Sequence, residues 1–326
     1  MKAKLIFNPA SGNPKESAAQ LVDLLCLLQK QQIQAEVVVV QPKQDLRLLA
    51  RSTVRAGVKM VIVSGGDGTI ENIALGLVGS RTTLGIIPTG TRNNLARSLG
   101  IPVDNLAAAA ALLRKGRQIK IDVGQVRQRK KNRPFLEAAA IGLPSALYPA
   151  SDDIQHGELG KIAGFISTLV KAQPSEIRLQ VGSTRKYVVA QAHVVIVANM
   201  PYMGANYQVA PDVIFDDHYL DVFVYSDLSK RDLIGQMMQP SNAAPDNRIQ
   251  RFRTKKITIR TKPAMPVMAD GVSLGDGSVT IMLHPQRLVV MAGPKALWRR
   301  RRSRQRLARE QREKAADDRQ GMSHGQ

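Results

Sequence analysis

A chain of 326 residues with 44% hydrophobic content is long enough for two packed domains. Its single cysteine, Cys26, excludes an intramolecular disulfide and fits a reducing compartment. No stretch reaches the roughly 20 apolar residues that cross a membrane, and "MKAKLIFNPASG" lacks a signal-peptide pattern, so a soluble, cytoplasmic protein is expected.

Forty-seven Lys and Arg against 26 Asp and Glu give a net charge of +21. Residues 295–326 hold 11 basic and 4 acidic residues, a net of +7, which leaves +14 on the body. Such a field attracts phosphates, as nucleotide, nucleic acid or anionic lipid. Aromatic residues are only 4%, too few for the stacking platforms of single-strand binders, so nucleic acid is not expected.

In chain order, "AKLIFNP" predicts a strand ending at Asn8-Pro9, and "KESAAQLVDLLCLLQKQQ" a helix with Cys26 buried in its apolar run. "AEVVVV" is a strand, "DLRLLARSTVRAG" a helix closed by Gly57, and "KMVIVS" a strand. "TIENIALGLVG" is a helix, "LGIIP" a strand and "NNLARSLG" a short helix. "DNLAAAAALLRKG" is a helix capped by Asp104 or Asn105 and stopped by Gly116. This alternation predicts βαβ units, hence a parallel sheet covered on both faces.

After about Lys120 the pattern changes. Residues 118–142 read as two strands joined by a basic hairpin loop. Further strands are expected over 175–182, 185–199, 219–226, 255–261, 278–284 and 287–293. The alternation of Val279, Ile281 and Leu283, and of Ile257 and Ile259, indicates antiparallel sheet. Helices are expected over 160–174 and 227–238, a loop over 239–247, and a basic tail that is a frayed helix or disordered. The domains are 1–130, an α/β nucleotide-binding unit; 131–294, a β-rich substrate unit; and 295–326, the tail.

The stretch "MVIVSGGDGTIENIALGL" puts a Gly-rich turn between a strand and a helix. Main-chain N–H groups there can cradle a phosphate, so Gly65, Gly66 and Gly68 are candidate phosphate contacts. Asp67 is then a metal or nucleotide contact; the alternative is a tight turn with Asp67 as helix N-cap. "IIPTGTRNN" brings Gly90 and Thr91 at a second such turn, and Asn8 to Gly12 end the first strand in the same way. Parallel strands would place all of these on one sheet edge, where open α/β sheets bind ligands. The five histidines show no metal-ligand spacing.

The segments "FNPASG", "SGGDGT", "IIPTGTRNNLA", "IDVG", "AAIG", "GKIAGF", "VANMPYMG", "VAPDVIFDDHYLDV" and "MADGV" resemble, in order, the motifs of diacylglycerol-kinase-type lipid kinases, including the sphingosine kinases. The resemblance covers residues 3 to 293. It implies an NAD kinase-like α/β domain, a C-terminal antiparallel β-sandwich, and ATP bound between them. The γ-phosphate would pass to a lipid hydroxyl at an anionic membrane surface, the inner face of the membrane, as a step of phospholipid metabolism. A homodimer through an edge strand stays open. Residues Gly65 to Thr69 and Thr91 would hold the ATP phosphates with Asn8 nearby, Asp67 and Asp270 would serve the chemistry, and Mg²⁺ would sit on the Asp217 side chain with the backbone oxygens of Ile214 and Tyr219.

The chain departs from that family at several positions. Glu71-Asn72 reverses the usual Asn-Glu, Asn94 replaces an Asp, and His218 replaces a Gly. The family's Asp-Gly-Glu, which carries the general base, reads Asp270-Gly271-Val272. Valine cannot accept a proton. Either Asp270, Asp276 or Glu71 supplies the carboxylate, or the chain is a nucleotide- and lipid-binding regulatory protein without turnover.

Overall fold

The computed structural model describes residues 1–142, 174–226, 232, 248–294 and 296, less 13, 130, 184–186, 204–206 and 210–211. The helices expected near 160–174 and 227–238, the 239–247 loop and the basic tail fall on residues outside this set, apart from Pro174, Asp232 and Ala296.

In the first half, strands β1 (Lys2–Phe7), β2 (Gln34–Val39), β3 (Met60–Gly65) and β4 (Thr83–Pro88) alternate with helices α1 (Ser17–Lys30), α2 (Leu46–Arg55) and α3 (Asp67–Leu77), followed by α4 (Asn94–Ser98) and α5 (Leu106–Lys115). Strand β1 pairs in parallel with β2 and β3, and β3 with β4. Helices cover both faces, so every residue of β3 and β4 is buried. One face packs Val61, Val63, Leu84 and Ile86 with Ile70 and Ile73. The other packs Leu5, Phe7, Ile62 and Ile87 with Leu24, Leu28 and Leu113.

Local chemistry sets the helix ends. The Asp45 side chain accepts the Leu48 N–H at 2.9 Å, and Asn105, the second of the two expected caps, accepts the Ala108 N–H at 2.9 Å. Cys26 is exposed, not buried: Leu24 and Leu28 hold the inward stripe of α1, and a residue halfway between them faces out.

The second half contributes β5 (Arg117–Gln128), β6 (Lys131–Phe135), β7 (Ala138–Gly142), β8 (Ser175–Val181), β9 (Val188–Ala198), β10 (Tyr202–Met203), β11 (Tyr207–Gln208), β12 (Leu220–Ser226), β13 (Ile249–Thr254), β14 (Lys256–Lys262), β15 (Pro266–Ala269), β16 (Val272–Asp276) and β17 (Val279–Ala292). Neighbours within this half pair antiparallel, as in β12 with β9 and β14 with β8. The core holds Phe135, Ile177, Val195, Val222, Ile257, Ile259 and Ile281. The fold is thus an α/β domain with a parallel sheet joined to an antiparallel β unit.

Two differences from the sequence-based expectation bear on the site. Residues 118–142 form three strands, because the chain breaks at Leu136 and Glu137 between β6 and β7. The two strands expected over 278–293 are one, β17, with a register shift between His284 and Leu288. Beyond that shift, Val289 and Val290 pair in parallel with Thr83 and Leu84 of β4. A single 15-stranded sheet therefore runs through both halves and fixes one against the other.

Candidate active site

The order β1–β3–β4 puts the three polar turns side by side at the carboxyl edge of the parallel sheet. They are tied directly to one another. Asn8 Nδ2 donates to Thr69 Oγ1 at 2.7 Å, and Thr89 Oγ1 donates to Ser11 Oγ at 3.2 Å. The Thr89 N–H donates to the Gly65 carbonyl at 3.2 Å. A Cβ on Gly90 would lie 2.4 Å from Gly66 Cα, so these two turns touch through bare main chain. Asn93, at φ 55°, closes the last turn: its Nδ2 donates to the Gly90 carbonyl at 2.6 Å. Gly68 is different. It is exposed, and a Cβ built on it meets nothing within 4 Å, which leaves a cradle open beside the first turn of α3. Thr91 is also exposed, whereas Thr69 is buried and spends its hydroxyl on Asn8.

Helix α3 begins at Asp67, two residues earlier than the sequence predicts, and its N-cap is Gly66. Asp67 does not cap its own helix. Its carboxylate accepts the N–H of Asn93 at 2.9 Å and of Asn94 at 2.7 Å, and so anchors the start of α4. Two main-chain donors satisfy the charge and lock the β3 and β4 turns together.

The second half brings further carboxylates to this edge. Asp270, at φ 42° between β15 and β16, accepts the N–H groups of Leu136 at 2.6 Å, Glu137 at 3.0 Å and Ala138 at 3.1 Å. These bonds create the break between β6 and β7. Asn94 Nδ2 donates to Glu137 Oε2 at 3.3 Å, so one side chain joins the turn after β4 to the β unit. Glu71 on α3 pairs with Arg133 at 2.9 Å and lies 3.9 Å from Arg47. Asp276 is exposed at the end of β16, and Val272, at the start of that strand, is 42% exposed.

Burial dominates the proton affinities here. It pushes Asp270 up to about 6, against the pull of the three N–H donors and Arg133. It also raises Glu71, with the Asp270 charge adding to it, while Arg133 and Arg47 pull the other way. Glu137 is raised well above the usual carboxylate range by burial, then by Asp270, Asp67 and Glu71; its hydrogen-bond donor is a neutral amide. Glu137 was not among the residues singled out in the sequence. The available signal was a lone carboxylate in the apolar run "FLEAAAIG".

Asp217, Ile214 and Tyr219 form a separate cluster before β12. The Asp217 carboxylate accepts the Tyr219 N–H at 3.0 Å and pairs with the Arg253 guanidinium. Arg253 also lies 3.5 Å from Asp221 and stands over the Tyr219 ring at 5.0 Å. As arranged, this donor set does not suit a resident divalent cation, because a guanidinium already supplies the positive charge. Among the described residues, no group of three His, Cys, Asp or Glu side chains is placed to hold a metal. His218 adopts φ 67°, a conformation that glycine takes freely, and is held there by Asp122, which accepts its N–H at 2.8 Å.

Glycine turns with open main chain at Gly68 lie beside carboxylates of the β unit, an arrangement that suits a phosphate on an α/β protein. Residues 2–126 match the family model "Diacylglycerol kinase catalytic domain", and residues 149–292 match "YegS C-terminal NAD kinase beta sandwich-like domain". The first half of the chain thus matches a diacylglycerol kinase catalytic domain and the second a YegS-type β-sandwich domain. It is 29% identical over 225 residues to the "Probable lipid kinase YegS-like" protein of Klebsiella pneumoniae, covering 68% of this chain and 73% of that one. It is 26% identical over 274 residues to a diacylglycerol kinase of Mycobacterium tuberculosis, covering 83% and 88%. A diacylglycerol kinase crystal structure from Bacillus anthracis superposes with a TM-score of 0.72 at 24% identity, over 91% of this chain and 98% of that one, a likeness of fold.

Proposed function

We propose that this protein is a lipid kinase that transfers the γ-phosphate of Mg·ATP to the hydroxyl of a diacylglycerol-like lipid at an anionic membrane surface. The observation that carries the reading is the joined edge of β1, β3 and β4, which carries Asn8, Gly65 to Thr69, Gly90 and Thr91 and leaves the main chain open at Gly68. In this reading the α3 N-terminus and its N–H groups take the phosphates, and Asp67 keeps the two turns in register by holding Asn93 and Asn94. Mg²⁺ arrives with ATP as part of the substrate. The β unit opposite supplies the lipid side of the cleft, and the net charge of +21 favours both ATP and an anionic bilayer. Among the described residues no helix is long and apolar enough to cross a membrane, so contact with the bilayer is peripheral in this reading.

A second reading, a nucleotide-binding regulatory protein without turnover, is favoured by Val272, which stands where the family carries its base. A coupled assay of ADP release separates the two. A lipid kinase releases ADP faster on vesicles that contain diacylglycerol and anionic lipid than on vesicles of neutral phospholipid alone. Equal release on both, or release stimulated by NAD in solution, would rule the lipid reading out.

A further inference from the structure

We infer that Glu137, and not a residue of the Asp270-Gly271-Val272 segment, takes the proton from the acceptor hydroxyl. This rests on the kinase reading above. The other described carboxylates at the edge are either bonded elsewhere or, at Asp276, turned to solvent. Asp270 spends both oxygens on three main-chain N–H groups. Asp67 spends both on Asn93 and Asn94. Glu71 is held by Arg133 at 2.9 Å, and Asp276 is exposed at the far end of β16. Val272 has no acceptor.

Glu137 has the opposite character. Its main chain is fixed at both ends: its N–H donates to Asp270 at 3.0 Å, and its carbonyl accepts the N–H groups of Asn199 at 2.9 Å and Met200 at 3.1 Å. Among the described residues its side chain carries one long bond, 3.3 Å from the neutral Asn94 amide. Asn94 is the residue whose N–H Asp67 holds, so Glu137 lies one side chain from the turn that would face the ATP phosphates. A carboxylate on a fixed backbone, with spare acceptor capacity, is what a general base requires.

The charged groups around it favour proton uptake. Asp67 and Glu71 on α3 and Asp270 before β16 add negative charge when ionised, while Arg133 on β6 pairs with Glu71 at 2.9 Å and Arg47 on α2 lies 3.9 Å from it. Burial adds to the effect and raises the proton affinity of Glu137. In the transfer step the lipid hydroxyl oxygen forms a bond to the γ-phosphorus. The bond from that phosphorus to the β–γ bridging oxygen breaks, ADP leaves with that oxygen, and the hydroxyl proton moves to a Glu137 carboxylate oxygen and then to water.

The test compares wild type with Glu137→Gln and Glu137→Asp in the full chain, on vesicles containing diacylglycerol and anionic lipid. It measures kcat, the KM for ATP, ATP binding at equilibrium, and kcat against pH. Glu137→Gln should lower kcat by about 10²- to 10⁴-fold with ATP affinity little changed, and Glu137→Asp should keep part of the rate. The rise of kcat with pH in wild type should flatten in Glu137→Gln. A Glu137→Gln enzyme with kcat within about threefold of wild type, or with ATP binding lost in parallel, would overturn the inference while leaving the kinase reading standing. A wild type that binds ATP but labels no lipid would overturn the kinase reading, and this inference with it.

Discussion

Asp67 Oδ1 accepts the backbone N–H of Asn94 at 2.7 Å, so the carboxylate that opens α3 fixes the start of α4. Asp67→Ala would leave the N–H groups of Asn93 and Asn94 unpaired, a cost of about 1–3 kcal/mol where such donors are out of water. The two turns would then lose their register. We expect a lowered Tm, and Mg·ATP affinity lost by tenfold or more on titration calorimetry, as order-of-magnitude effects. Asp67→Asn, which keeps an acceptor oxygen, should fall between the two. Unchanged ATP affinity in Asp67→Ala would show that the turns do not need this tie.

Two glycines of the same edge should respond with opposite signs. Gly90→Ala puts a Cβ at 2.4 Å from Gly66 Cα, a clash between main chains that no rotamer relieves, and should destabilise the fold by about 1–3 kcal/mol. Gly68→Ala meets open space inside the first turn of α3, where alanine is the better helix former by about 1 kcal/mol. Its Tm should therefore hold or rise. Its affinity for ATP should nonetheless fall, because the methyl occupies the cradle. Thermal melts with and without Mg·ATP check both.

Stability should depend on pH in a defined direction. Asp270, at about 6, Glu71 and Glu137 bind protons more tightly in the folded chain than the unfolded values of about 4. Their contribution is fully present below about pH 4 and is lost as pH rises through the folded values. Glu137→Gln mimics the protonated side chain. It should match wild type at or below about pH 4 and exceed it at pH 8 by roughly 1–3 °C in Tm, while activity is lost. Equal melting curves at pH 8 would contradict the charge crowding described at this edge.

Arg253 should stabilise the chain where the family resemblance placed Mg²⁺. The pair with Asp217 and the neighbouring Asp221 makes Arg253→Ala destabilising, by about 1 kcal/mol given that the side chain is 46% exposed. Mg²⁺ without nucleotide should not raise the Tm of wild type. A rise of several degrees would show that a divalent cation competes with the guanidinium for Asp217.

The parallel half was readable from the sequence because its strands are continuous apolar runs closed by Gly or Asn-Pro signals, and its helices carry Asp45 and Asn105 as caps. The three turns meet at one edge because adjacent strands carry them, which spacing alone indicated. The break at Leu136 and Glu137 was not readable. It depends on Asp270, more than a hundred residues away, taking N–H groups that a strand would otherwise pair. The same long-range bond hid Glu137, whose neighbours in sequence are all apolar. Helix α3 started early because Gly66 serves as its N-cap and frees Asp67 for a second helix, a choice made by packing against Gly90 rather than by local propensity.

The most direct measurement is transfer of label from γ-labelled Mg·ATP to vesicles of a total bacterial lipid extract, with wild type and Asp67→Ala run side by side. The account predicts an organic-soluble labelled product with wild type that falls by at least an order of magnitude with Asp67→Ala, since Asp67 holds the turns after β3 and β4 together. Saturable ATP binding by wild type with no labelled lipid would contradict it.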